Sequence, residues 1–313
     1  MSDPKRVYTA IDAKPSVQYA KRDAATDDAY PILVDANGYA LSAVKLIDNN
    51  GLAFGVKQIG NKIRVSSMPY LYDIAEGNIP AHSVWTKIGF TPSISTTLLW
   101  DIWSYGGVIN FPASAMQMSV VSSDNTNDIA GGTGALKVTL YYLDNAYAEK
   151  TEEITLTGTT FVDTVATNIL RINGARVTTA GSSGVAAGNL RVVDKATRAI
   201  VYTYLTAGFT RARNSAYTVP AGKTLYVVSW TAGFGYASNQ TQYGRLVTRA
   251  TQNEGIKTSL FHPFTEVVEA NGSTFVEFVI PTKLVATVDL KVSVLASVAT
   301  GVIATSALRG WIE

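Results

Sequence analysis

The amino-acid sequence predicts an all-β protein, one or two antiparallel β-sandwich domains of jelly-roll or immunoglobulin-like type behind an extended N-terminal arm. Three observations predict it. From residue 84 onward, short runs alternate apolar and polar residues with period two. Clusters of Gly, Asn, Asp and Thr punctuate those runs at the close spacing of sandwich strands. Apart from a turn or two near residues 94–104, no segment of helical length carries a 3.6-residue apolar stripe.

Residues 1–30 are polar and mixed in charge, with Pro4, Pro15 and the acidic group Asp23, Asp27 and Asp28, and they predict an extended arm, with a disordered terminus as the alternative. Residues 31–68 predict a small hairpin module. Its turn signals are Asn37-Gly38 and Asn50-Gly51, dipeptides that accept the positive φ angles of tight hairpins. A first sandwich follows. In its run 136–143, Leu136, Val138, Leu140 and Tyr142 share one face, Lys137, Thr139, Tyr141 and Leu143 share the other, and a turn comes at Asp144-Asn145. Runs 152–157, 168–179, 189–194 and 198–205 continue the series. The run 217–230 opens a second set, interrupted at Pro220-Ala221-Gly222 and apolar on both faces beyond it, which predicts a strand buried on both sides. Runs 244–251, 256–264, 273–281, 284–298 and 301–313 complete it. The expected division is an arm with a hairpin module over 1–70, one sandwich over 71–205 and a second over 206–313.

Composition narrows function. The chain has 313 residues, 47% hydrophobic and 16% charged, and a formal charge of +2. No electrostatic footprint for nucleic acid is expected from that balance. The start lacks the apolar run of a secretory signal and no stretch approaches the ~20 apolar residues of a bilayer span, so a soluble chain made in the cytoplasm, without a membrane, is expected. Cysteine is absent, which removes disulfides, thiolate metal sites and cysteine nucleophiles.

No catalytic constellation stands out, and an enzyme is not expected. The two histidines, His82 and His262, are isolated and are expected to be structural. The glycine-rich 130–137 leads into a strand, where a phosphate loop needs a helix N-terminus. Glu152, Glu153, Glu266 and Asp289 read as solvated strand ends or turns. The loop 122–132 spaces Asp124, Thr126 and Asp128 two apart, a weak calcium candidate whose competing reading is a polar turn; no other cofactor is expected. Aromatics crowd two regions. Trp85, Trp100, Trp103 and Tyr105 in the first, and Trp230, Phe234 and Tyr236 in the second, are candidates for subunit packing or glycan contact.

Four phrases in this order, 77–112, 132–160, 170–190 and 217–230, resemble virion structural proteins of tailed bacteriophages. The resemblance spans residues 75–313 and carries no catalytic signature. It implies a particle component: a capsid-surface decoration or head-fibre protein, or a piece of the tail apparatus, located in the virion. The partners implied are other virion proteins such as the major capsid protein, with further copies of the chain in a homotrimer. A tail-associated receptor- or carbohydrate-binding protein is the alternative, and a polysaccharide depolymerase a third reading.

Overall fold

The computed structural model describes residues 71–236, 242–298 and 301–313 with their side chains, and short backbone segments before them. The chain divides into two units, Met1–Tyr70 and Leu71–Glu313. In the first, β1 (Val17–Arg22) pairs with β2 (Ala29–Leu33), β3 (Leu46–Ile47) with β4 (Ala53–Phe54), and β5 (Lys57–Ile59) with β6 (Lys62–Arg64), each antiparallel. The remainder of the expected arm, and the turns at Asn37-Gly38 and Asn50-Gly51, lie outside the described residues.

A single helical turn and a half, α1 (Tyr70–Ala75), precedes the second unit's strands. The helical turns expected near 94–104 are bends instead, because that stretch is pinned to a sheet by the short strand that ends it. That strand is β8 (Trp100–Asp101), which follows β7 (Ser83–Thr91). The chain then runs through β9 (Met118–Ser122), β10 (Ala135–Asp144), β11 (Glu149–Thr155), β12 (Val162–Asp163), β13 (Ile169–Ala180), β14 (Leu190–Asp194) and β15 (Val201–Leu205). It ends in β16 (Tyr217–Thr218), β17 (Leu225–Tyr236), β18 (Gly244–Asn253), β19 (Ile256–Glu269), β20 (Gly272–Leu284), β21 (Asp289–Ala296) and β22 (Val302–Ile312).

Two antiparallel β-sandwiches result, and the strand pairing assigns residues to them differently from a cut at 205. The strand β7 pairs along its whole length with β22, and β8 pairs with β21, so residues 83–101 share sheets with the C-terminal strands. One sandwich is therefore the sheet β20-β17-β22-β7 against β16-β21-β18-β19 with β8. Residues between β8 and β16 form the other, β11-β10-β13 against β12-β9-β14-β15, inserted into the first. Such long-range pairing leaves no mark on local periodicity.

Each sandwich has its own core. Val138, Leu140, Tyr142, Ile169, Val192 and Leu205 fill the inserted one. Leu225, Val227, Trp230, Phe234, Leu246 and Leu308 belong to the other. Each fully buried side chain of this size contributes about 1.5–3 kcal/mol.

The strand β17 corrects the expectation of a run buried on both faces. Leu225 and Val227 point into the core, then the register slips at Val228 in the pairings with both β20 and β22, and Trp230, Ala232 and Phe234 point inward instead. A bulge adds one residue and so reverses which parity faces inward. Apolar residues at both parities reflect that change of phase. Gly310 lies opposite the slip, and any Cβ there would run into the Tyr226 carbonyl oxygen.

Candidate functional site

Most of the aromatics singled out by sequence are inside. Trp103 and Trp230 are essentially inaccessible, and Trp85 and Phe234 are buried. Their polar edges are used locally: Trp230 Nε1 donates to Ser306 Oγ at 3.0 Å, and Trp103 Nε1 to the Gly107 carbonyl at 3.1 Å. Trp85 meets Tyr217 edge-on at 5.2 Å. Trp100 and Tyr236 are half-buried, and Tyr105, at 50% exposure, is the exposed member of the set. The Tyr105 ring lies 5.2 Å from Trp103 and 5.3 Å from Tyr204.

In the loop 122–132, two carboxylates organise the backbone. Asp128 is buried and accepts four hydrogen bonds, from Ser122 Oγ (2.6 Å) and from the backbone N–H groups of Ala135 (2.7 Å), Ala187 (2.9 Å) and Gly188 (2.8 Å). Asp124 accepts from the backbone of Asn127 (2.6 Å) and Thr126 (2.8 Å), and these bonds hold its carboxyl below the usual range. Thr126 is exposed. The arrangement is that of a polar turn tied to the 181–188 loop, with the carboxylate oxygens taken up by protein donors. Among the described residues, no three His, Asp or Glu side chains converge as metal ligands.

His82 bridges the Pro80 carbonyl (2.8 Å) and the Glu313 carboxylate (2.8 Å). Asp289 departs from the expected solvated strand end. It is buried and forms a two-bond pair with Arg171 of the inserted sandwich, 3.0 Å in each arm, while Thr218 Oγ1 donates to it at 2.5 Å.

That pair belongs to a joint between the sandwiches that sequence did not reveal. Asp101, completely buried, accepts from Lys291 Nζ (2.8 Å), Arg249 Nη2 (3.1 Å), Ser293 Oγ (2.6 Å) and the Ile109 backbone (2.7 Å). Burial lowers the Lys291 pKa, and the Asp101 charge opposes that shift. The Phe261 ring caps Lys291 at 4.4 Å and meets Phe111 at 5.6 Å, and Arg171 lies over Phe111 at 5.2 Å. Beside it, Trp103 and Ile109 pack on Val193 and Val201 of the inserted sandwich. Across the joint Asn173 exchanges two hydrogen bonds with the Thr218 backbone, at 2.8 and 2.9 Å.

The other edge of the C-terminal sandwich is exposed, apart from Phe261 of β19, which folds back onto the joint. The strands β19 and β20 are the last in their sheets, and each carries a wide bulge. Val227 pairs with Thr282 and Ser229 with Glu277, so Phe278, Val279, Ile280 and Pro281 face Val228 alone. Likewise Ala250 pairs with His262 and Gln252 with Lys257, leaving Thr258, Ser259, Leu260 and Phe261 opposite Thr251. The bulges push apolar side chains outward: Val279 is 97% exposed, Ile280 83% and Leu260 67%. Ile256, Val268 and Phe275 are further exposed apolar residues of these two strands. A cleft of about 690 Å³ opens beside it between Asn253, Phe264, Lys283 and Val285.

Comparison with known proteins adds no family. No protein-family profile matches the chain, and no curated protein is similar to it in sequence. Among solved structures, that of the infectious bursal disease virus Gt strain aligns with 10% identity over 78% of this chain and 76% of that chain, at a TM-score of 0.15. The infectious bursal disease virus VP2 subviral particle aligns with 9% identity over 78% and 77%, at 0.14. Scores this low establish no common fold.

Proposed function

We propose that the chain is a non-catalytic structural component of a phage particle, most specifically a capsid-surface decoration or head-fibre protein that assembles as a homotrimer. The observation that carries the assembly part is the apolar rim of β19 and β20. Large apolar side chains exposed together on edge strands are the kind of surface that marks a contact. Pro263, Pro281 and the bulges break the edge hydrogen-bonding pattern that would let strands add indefinitely, so a partner must meet side chains and not extend the sheet. That suits a closed assembly of defined number. The phage assignment itself rests on the resemblance of residues 75–313 to virion proteins.

In this reading the two sandwiches are a rigid spacer, the rim joins copies, and the Met1–Tyr70 unit docks to the particle through a protein such as the major capsid protein. Mass spectrometry of purified particles tests it: the chain is expected at a fixed ratio to the major capsid protein. Absence from particles, with a monomeric purified chain, overturns it. A tail-associated carbohydrate-binding role has Tyr105 as its best contact, since that ring is exposed beside Tyr204. A glycan array in which Tyr105→Ala abolishes specific binding would favour that second role.

A further inference from the structure

The joint contains one group of cations with no counter-charge. Arg176, on the outer face of β13, lies directly opposite Arg211 in an isolated antiparallel bridge. The bonds from Ala212 N to Ala175 O (2.9 Å) and from Val177 N to Thr210 O (2.8 Å) hold the two strands together there. Directly opposed residues put their Cβ atoms about 4.5–5.5 Å apart on one face, where like charges repel. Arg213 follows two residues later in the same segment.

Aromatic rings occupy the faces of two of these guanidinium groups. Arg176 lies 5.3 Å from the Tyr141 ring, and Arg213 lies 3.7 Å from Phe209 and 4.4 Å from Phe90. Stacking uses the π-face and leaves the in-plane N–H donors for an acceptor. Arg213 Nε is buried with no hydrogen-bond partner. Among the described residues, none of the three arginines pairs with a carboxylate, although exposed cations elsewhere do: Lys137 with Glu153, Lys195 with Asp163 and Arg245 with Glu266.

Behind them Lys87 of β7 is buried, its ammonium donating to the Asn173 carbonyl. Its pKa is lowered to about 7, first by burial, then by Arg211 and Arg176. Burial also lowers Arg211 and Arg213, with Arg176 adding to the effect on Arg211. Lys87, Arg176 and Arg211 therefore repel one another with no acid among the described residues to relieve it, and Arg213 follows Arg211 in the same segment with its Nε unpartnered.

We propose that Arg176, Arg211 and Arg213, with Lys87 behind them, form a binding site for an oxyanion: a phosphate, sulfate or carboxylate group. A planar guanidinium matches two oxygens of such a group at once, and charge-assisted bonds of this type are roughly twice as strong as neutral ones. An oxygen acceptor also satisfies the buried Arg213 donor. The bound charge screens Arg176 from Arg211 and favours the protonated form of Lys87. This assignment stands apart from the particle reading, because it needs only the second unit's own residues.

The test is calorimetric titration of the intact chain with inorganic phosphate, sulfate and acetate at constant ionic strength. Saturable one-site binding of at least one of them is expected, weakened at least tenfold in Arg176→Gln and Arg211→Gln. Phosphate and sulfate binding without acetate identifies a tetrahedral anion, and acetate binding identifies a carboxylate. In parallel, the Lys87 side-chain resonance should titrate at higher pH when the anion is present. Absence of binding by all three, or equal affinity in wild type and both variants, overturns the assignment. Circular dichroism of each variant separates loss of binding from loss of fold.

Discussion

The two edges of the C-terminal sandwich end their sheets in opposite ways. On one edge β8, β16 and the Lys87 part of β7 meet the inserted sandwich and the 102–112 loop, with Asp101, Asp289 and Lys87 buried there. On the other, β19 and β20 end in bulges with Leu260, Val279 and Ile280 in solvent. The closed edge spends buried charge on fixing the two sandwiches in one geometry. The open edge holds apolar area in reserve. The edge completed within the chain uses directional bonds, and the exposed edge shows non-directional surface with broken hydrogen-bonding register.

Four substitutions separate the edges. Asp101→Ala has the largest expected effect, a loss of at least about 3–5 kcal/mol in denaturant unfolding, because it leaves Lys291 and Arg249 facing each other without their acid. Arg171→Ala should cost about 3 kcal/mol, since it strands the buried Asp289, though Thr218 still donates to that carboxylate.

Lys87→Met alters pH dependence. The folded-state pKa is about 7 against an ordinary 10.5, so between those values the unfolded chain holds a proton that the folded chain lacks. Stability attributable to this group therefore rises with pH across that window, by at most about 1.4 kcal/mol per unit. The groups facing the amine are Asn173, Tyr217, Arg176 and Arg211; burial and Glu149 raise the Tyr217 pKa, so that phenol stays neutral there. In Lys87→Met the rise should be absent from pH-dependent melts. At the rim, Val279→Lys should change monomer stability by less than about 0.5 kcal/mol, because the side chain packs on nothing in its own chain.

The fold class was legible because period-two alternation and turn residues are local signals, and β10 lies where its alternation places it. Connections over long separations were not. Lys291 and Asp101 are 190 residues apart, and Arg171 and Asp289 118, so nothing near Asp289 distinguishes a buried partner from a solvated turn. The pairing of β7 with β22 is hidden for the same reason. The aromatic candidates were visible as residues but not as placements: Trp103 and Trp230 carry a donor that the fold satisfies internally, which spacing does not encode. The four-residue bulges were invisible as well, since runs 256–264 and 273–281 read as uninterrupted strands.

If the β19–β20 rim joins copies of the chain, charges placed on it must separate them. Sedimentation velocity of the wild-type chain beside the double variant Val279→Lys, Ile280→Lys tests it most directly. The prediction is a trimer for the wild type and a folded monomer, with an unchanged melting temperature, for the variant. A monomeric wild type, or a variant that sediments as the same oligomer, contradicts it.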